Sequence, residues 1–150
     1  MTVGAELETT IARSASAVFA ELEAVERYPE WLSSSGVRSV ERIDDGPIGE
    51  GTRLRIEQRI SGQAATLDGV VMAFRQDEHL AIRAVDPRGI TVELEAKLVP
   101  DGGTTQLRWS IRLSLPLRFR FFEGMVESEL RRAAVSDLDN LRRRLEAVAS

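Results

Sequence analysis

At 150 residues with no cysteine, the chain has the size of one domain and must hold its core without disulfides or a cysteine-ligated metal. An apolar share of 43% and a charged share of 29% with both signs mixed exclude the disordered and membrane-spanning classes. A net charge of −4 with no clustered basic face argues against a nucleic-acid surface.

The first ten residues alternate and carry Glu6 and Glu8, which is not the pattern of a signal peptide, so a soluble cytoplasmic protein with a single domain over residues 1–150 is expected. From Val3 to Ile11 the apolar residues Val3, Ala5 and Leu7 alternate with polar ones, predicting a half-buried strand. Ser14 then reads as the N-cap of a short helix with Val18, Phe19, Leu22 and Val25 at helical spacing, ended by Pro29. Tyr28 to Leu32 predicts a second helical turn, closed by the run from Ser33 to Gly36.

Between Val37 and Leu113 the pattern is an antiparallel meander of six short strands. Turn residues separate them at Asp44–Gly51, Ser61-Gly62-Gln63, Asp77-Glu78, Asp86-Pro87-Arg88-Gly89 and Asp101-Gly102-Gly103. Pairing the last hairpin about its Asp-Gly-Gly turn places Leu94 beside Trp109, Val92 beside Ile111 and Glu95 opposite Arg108. In the strand from Thr52 to Ile60, Leu54, Ile56, Gln58 and Ile60 share one face, while Arg53, Arg55, Glu57 and Arg59 share the other and face water. The strand from Ala64 to Arg75 has no fixed inward face, so Asp68 is assigned to neither side.

After Pro116 the period changes to 3.6. Val126, Leu130, Ala134, Leu138 or Asp137, Leu141, Leu145 and Val148 form an apolar stripe on a helix of about eight turns, which must lie across the sheet to be buried. Phe121, Phe122 and Met125 extend its apolar surface, and Gly124 marks either the helix start or a close approach. Arg142 to Arg144 near the end suit the helix dipole.

The order strand, two short helices, six strands, long helix resembles the START-related helix-grip superfamily (SRPBCC), which includes polyketide cyclases and dehydrases, lipid-transfer START domains and plant pathogenesis-related proteins. The resemblance is carried by the run Ile11 to Phe19, by Tyr28-Pro29-Glu30-Trp31, by Gly49-Glu50-Gly51, by Asp101 to Thr105 before the Trp109 strand, and by Leu138, Leu141 and Leu145. It implies an α+β fold, a curved seven-stranded antiparallel sheet wrapped around a long C-terminal helix, with a cavity between them used for binding, transport or cyclisation. Cyclase-like relatives place an arginine with tyrosine or tryptophan partners in that cavity. Here Arg53, Arg55 and Arg59 face outward and Tyr28 is the single tyrosine, so no catalytic residue of the family carries over.

The expected cavity walls are Leu54, Ile56 and Gln58 on one strand, Val92, Leu94, Trp109 and Ile111 on the last hairpin, Trp31 near the short helices, and Phe121, Phe122, Met125 and Glu129 on the helix. Glu129 is the one catalytic candidate, as a partly desolvated acid or an anchor for a ligand hydroxyl, against a surface glutamate paired with Arg132 or Arg13. Gln58 either orients a ligand carbonyl or sits at the sheet edge. The single histidine, His79, beside Asp77 and Glu78, reads as a solvated hairpin tip. Ser33 to Ser35 lack a nucleophile elbow, and Gly46, Gly49 and Gly51 lack the lysine and helix of a phosphate loop. No metal site and no cofactor is expected. The leading expectation is binding of a small apolar or aromatic metabolite or lipid, by a monomer or homodimer without stable membrane insertion. The alternatives are an aromatase/cyclase or dehydrase acting on a poly-β-ketone, and a co-chaperone-like or quinone-related interaction module.

Overall fold

The alternating amino terminus forms strand β1 (Thr2–Ile11), with Val3, Ala5 and Ile11 buried and Glu6 and Glu8 in solvent. A computed structural model describes residues 1–60 and 62–148. Ser14 caps helix α1 (Ala15–Glu23), its Oγ accepting the amide of Ala17 at 3.2 Å, a contact worth ~1 kcal/mol. Val18, Phe19 and Leu22 bury the inner side of α1. The helix stops before Pro29, which instead lies inside a 3-10 turn, Val25–Glu30, short enough to tolerate the missing donor.

Six further strands follow: β2 (Val37–Arg42), β3 (Arg53–Ile60), β4 (Gln63–Arg75), β5 (His79–Val85), β6 (Thr91–Asp101) and β7 (Thr104–Ser114). All pairings are antiparallel, in the order β1-β7-β6-β5-β4-β3-β2, and the seven strands form one curved sheet. Ser61, in the predicted Ser61-Gly62-Gln63 turn, lies outside the described residues. Asp68 is exposed and pairs with Arg55, while Ala65, Leu67 and Val71 of the same strand point inward. Gly69 lies close under β3: a Cβ would come within 3.2 Å of Ile56 Cδ1 and 3.3 Å of Leu54 Cβ, so these side chains would have to shift by a few tenths of an ångström.

The last hairpin departs from expectation by two residues. Leu94 sits opposite Ile111, Val92 opposite Leu113 and Ala96 opposite Trp109. Glu95 meets Ser110, and Arg108 forms its ion pair with Glu8 of β1 at 2.9 Å. The cause is a tighter turn, in which Gly102, at φ 63°, and Gly103 alone connect the paired Asp101 and Thr104. A shift of two leaves every side chain on its own face, so apolar alternation is blind to it.

After a 3-10 turn at Leu117–Phe122, helix α2 (Glu123–Val148) lies across the concave face, burying Val126, Ala134, Asp137, Leu138, Leu141 and Leu145. The alternatives Asp137 and Leu138 are thus both buried. The stripe ends at Leu145, since Val148 is 72% exposed. Gly124 has open space around its Cα and marks the helix start, not a close approach. The later part of α2 is tied to the rest of the chain: Asn140 Nδ2 donates to Trp31 O at 3.3 Å, and Arg13 Nη1 to Leu145 O at 2.8 Å. Ala12 N donates to Glu146 Oε2 at 3.0 Å, and Arg144 Nε to Glu21 Oε1 at 2.7 Å. The arginines at this end are therefore ion-paired, Arg142 and Arg143 with Asp139 and Arg144 with Glu21 and Glu30.

Candidate functional site

Two adjoining spaces lie on the concave face of the sheet, the outer one between the sheet and α2, the inner one between the sheet and the 3-10 turn. The outer one is an open cleft of about 330 Å³. Its floor is apolar, from Val92 on β6, Ile111 and Leu113 on β7, and Val126 and Leu130 on α2. Its rim is polar, from Ser34, Ser35, Gln58, Arg59 and Glu129. The inner one is a chamber of about 30 Å³ beneath the 3-10 turn and the β2–β6 face, walled by Leu54, Ile56, Ile82, Ala84 and Leu94 among others. Ser35, Gln58, Val92 and Ile111 border both, which makes them the neck between the two.

The neck is built by the link between the Ser33–Gly36 turn, β3 and α2. Asp137 accepts the amides of Ser34 at 2.9 Å and Ser35 at 3.1 Å, and the Ser34 and Ser136 hydroxyls meet at 2.9 Å. Burial pushes the Asp137 carboxyl above its ordinary range, opposed by the hydrogen bonds from Ser35 and Ser34. On the other side, Gln58 Nε2 donates to Ser35 O at 2.9 Å. Gly36, at φ 80°, lets the chain turn against β3, where Arg59 N donates to Gly36 O at 2.8 Å.

Several expected wall residues lie here. Leu54, Ile56 and Leu94 border the chamber, and Gln58, Val92 and Ile111 border both spaces. Gln58 is neither free nor at the sheet edge; it braces the Ser35 carbonyl. Glu129 is exposed on the cleft rim, without a hydrogen bond or ion pair to Arg132 or Arg13 among the described residues.

Other expected wall residues lie elsewhere. Trp31 and Trp109 are fully packed, with ring centroids 5.6 Å apart, and Tyr28 stands edge-on to Trp31 at 5.3 Å. This aromatic column fills the core and borders neither the cleft nor the chamber, apart from Tyr28 at the chamber. Tyr28 donates its hydroxyl to Leu22 O, and burial, with Glu26 nearby, pushes its phenol well above the ordinary value. Phe121, Phe122 and Met125 are 82%, 53% and 56% exposed and border neither space. The 3-10 turn before α2 carries Phe121 and Phe122 outward, where Arg120 stacks on Phe121 at 4.9 Å, and Met125 lies on the exposed side of α2.

Charge chemistry away from the cleft is structural. His79 opens β5 on the outer face of the sheet, half-buried, with Nε2 2.9 Å from Glu95 Oε2, instead of standing free at a hairpin tip. Arg53 pairs with Asp44 at 2.6 Å, and the Gly46–Gly51 segment is a connecting loop. Among the described residues no group of three or more His, Asp or Glu side chains is placed to hold a metal ion, and no helix is long and apolar enough to cross a membrane.

Sequence reasoning missed Ser34, Leu113 and Ala133 as lining, and above all Ser35. Within a serine-glycine run it carries only the signal of a turn, and its place at the neck depends on Asp137, a hundred positions away.

The chain matches, over residues 2–146, the family described as polyketide cyclase / dehydrase and lipid transport. Among solved structures it is similar to the Zhui aromatase/cyclase from a Streptomyces species, with a TM-score of 0.78 and 18% identity over 100% of this chain and 97% of that one. A START superfamily protein from Mycobacterium smegmatis aligns with a TM-score of 0.63 and 20% identity, over 97% of this chain and 95% of that one. A point mutant of the norcoclaurine synthase from Thalictrum, solved with a transition-state analogue, aligns with a TM-score of 0.70 and 15% identity, over 100% of this chain and 98% of that one. These identities speak for a shared fold. No curated protein matches the chain.

Proposed function

The chain belongs to the polyketide cyclase / dehydrase and lipid transport family, and from that premise we propose that it binds a small, mostly apolar molecule in the cleft between the sheet and α2. The observation that carries this reading is the combination of an apolar floor, a polar rim and a volume of about 330 Å³ in one cleft. That size is at the lower end of the range for small-molecule sites. Affinity comes from removing apolar surface from water at roughly 25 cal/mol per Å², and the polar neck sets orientation. Native mass spectrometry of the purified chain, followed by solvent extraction, tests it: a co-purifying small molecule or saturable uptake of an apolar dye supports the reading. Absence of both overturns it.

A second reading, an aromatase/cyclase or dehydrase, is favoured by Gln58, Arg59 and Glu129 bordering one cleft. In it the cleft holds a folded poly-β-ketone and Glu129 moves protons. Glu129→Gln is expected to abolish turnover of such a substrate, and an unchanged rate removes the residue from the reaction.

A further inference from the structure

We propose that the entrance to α2 is a docking surface for an anionic lipid layer, on which the chain rests reversibly through exposed aromatic and arginine side chains. The proposal stands apart from what the cleft holds.

Among the large apolar side chains that stand in water, Leu117, Phe121, Phe122 and Met125 fall together between Leu117 and Met125, each with more than half of its surface exposed. They include both exposed aromatic rings among the described residues. Single exposed apolar residues are ordinary on a protein surface, whereas a group this close together marks a contact.

Cations are interleaved with this group. Arg118 stacks on Phe119 at 5.1 Å and Arg120 on Phe121 at 4.9 Å, and neither makes a hydrogen bond or ion pair among the described residues. Arg131 and Arg132, the next cations along α2, are exposed and equally unpaired. The arginines at the far end of the same helix behave otherwise: Arg142, Arg143 and Arg144 are all ion-paired. The donors left unused are therefore gathered at the apolar end.

Helical spacing sorts the charges. On α2, Met125, Ser128, Arg132 and Val135 follow at i, i+3, i+7 and i+10 and form one exposed row. Glu123 and Glu127 instead stand in the row of Leu130 and Ala134, which turns toward the core, and Glu129 stands on the cleft rim. The carboxylates are thus kept round the helix from the face that carries the apolar residues and the cations.

A lipid layer with anionic headgroups matches that face. Guanidinium groups donate to phosphate oxygens while phenylalanine, leucine and methionine settle at the boundary of the acyl chains. A two-fold contact with a second copy would set the patch on itself and bring Arg118 and Arg120 against the same arginines. With a net charge of −4, the rest of the chain is repelled by such a layer, so this end alone sets the orientation. No helix among the described residues is long and apolar enough to cross a membrane, and the contact is peripheral. The inner side of the same arm carries Val126, Leu130 and Ala133 of the cleft, which docking brings to within one helix diameter, roughly 10 Å, of the lipid.

Cosedimentation of the full chain with vesicles of phosphatidylcholine alone, and of an equimolar mixture with phosphatidylserine, tests the proposal. Partition onto the mixed vesicles is expected to be at least about tenfold stronger, with the preference lost in high salt. Arg118→Gln with Arg120→Gln is expected to erase the preference. Phe121→Ser with Phe122→Ser is expected to cut partition onto the mixed vesicles at least about tenfold, with the thermal midpoint and dye uptake in solution unchanged. Met72→Ser, which removes an exposed apolar side chain from β4, is expected to leave partition as it is. Absence of partition by the wild-type chain, or a loss in Met72→Ser equal to that in the phenylalanine pair, overturns the docking surface and leaves the cleft reading standing. A dimer in vesicle-free solution that the phenylalanine substitutions dissolve gives the patch to a second copy and overturns it too. Wild-type partition without dye uptake strikes the cleft reading alone.

Discussion

Asp137 on α2 accepts the backbone amide of Ser34 at 2.9 Å, joining positions 103 residues apart beside the cleft. Burial raises the folded-state pKa of this carboxyl, so the folded chain holds its proton more tightly than the unfolded chain, where aspartate titrates near about 3.9. Stability contributed by this residue is therefore smallest above the raised value and grows as pH falls from it toward the unfolded one. Urea melts of wild type and Asp137→Asn are expected to show a difference that moves in favour of wild type as pH is lowered from neutral to about 4. A difference that stays flat across this window would show that the carboxyl titrates as it does in the unfolded chain.

Gly36 and Gly46 form a natural pair for comparison. Both have positive φ, 80° and 90°, but a Cβ on Gly36 would lie 2.3 Å from Arg59 O, whereas nothing stands within 4 Å of Gly46. Gly46→Ala is expected to lose only the conformational term, about 1–2 kcal/mol. Gly36→Ala adds a backbone clash at the neck and is expected to lose at least about 2 kcal/mol. Equal midpoints in chemical denaturation would show that the β3 backbone yields at no cost.

Ala133 faces the cleft from α2 and is half-buried. Ala133→Trp is expected to occupy much of the 330 Å³ and cut uptake of an apolar dye at least tenfold, with a thermal midpoint close to wild type. Fluorescence titration measures the first and calorimetry the second. Undiminished uptake would place the dye outside the cleft.

Phe121 provides the contrast with the core. At 82% exposure, Phe121→Ser is expected to change stability by no more than about 0.5 kcal/mol and to leave dye uptake intact. Leu141→Ala, at a position with 0% exposure, is expected to lose about 2–5 kcal/mol. A loss of uptake in Phe121→Ser would return that residue to the cleft lining.

The pattern of residues carried most of the fold and less of the site. Alternation in β3 and β6 told which side chains face inward, and Leu54, Ile56, Val92 and Leu94 do so, because burial of alternate residues is imposed by the strand itself. The partner of each residue was beyond that signal, as Leu94 opposite Ile111 shows, since register depends on how tightly Gly102 and Gly103 turn. Phe121, Phe122 and Met125 have the size and apolarity of lining residues, but these say nothing of direction at a helix entrance, where a 3-10 turn redirects Phe121 and Phe122 and Met125 falls on the outer side of α2. Trp31 and Trp109 have the size and apolarity of walls and are filling; which of the two an aromatic becomes is decided by neighbours such as Tyr28, remote in sequence from Trp109. Ser35 was invisible for the same reason: its role is made by Asp137 and Gln58, and a local pattern holds neither.

The uneven tethering of α2 decides how the cleft responds to what enters it. From Asp137 onward the helix is held by Ser34, Trp31, Glu21, Arg13 and Ala12. From Glu123 to Ala133, no hydrogen bond or ion pair from its side chains to the sheet is found among the described residues, and Val126 is the only buried side chain there. Tilting this leading arm away from the sheet gives up apolar contact and breaks no tertiary hydrogen bond, so a bulkier guest that supplies its own apolar surface repays what the displacement gives up. The pivot falls at Asp137, beside the neck, and so the neck stays still while the space above it can widen.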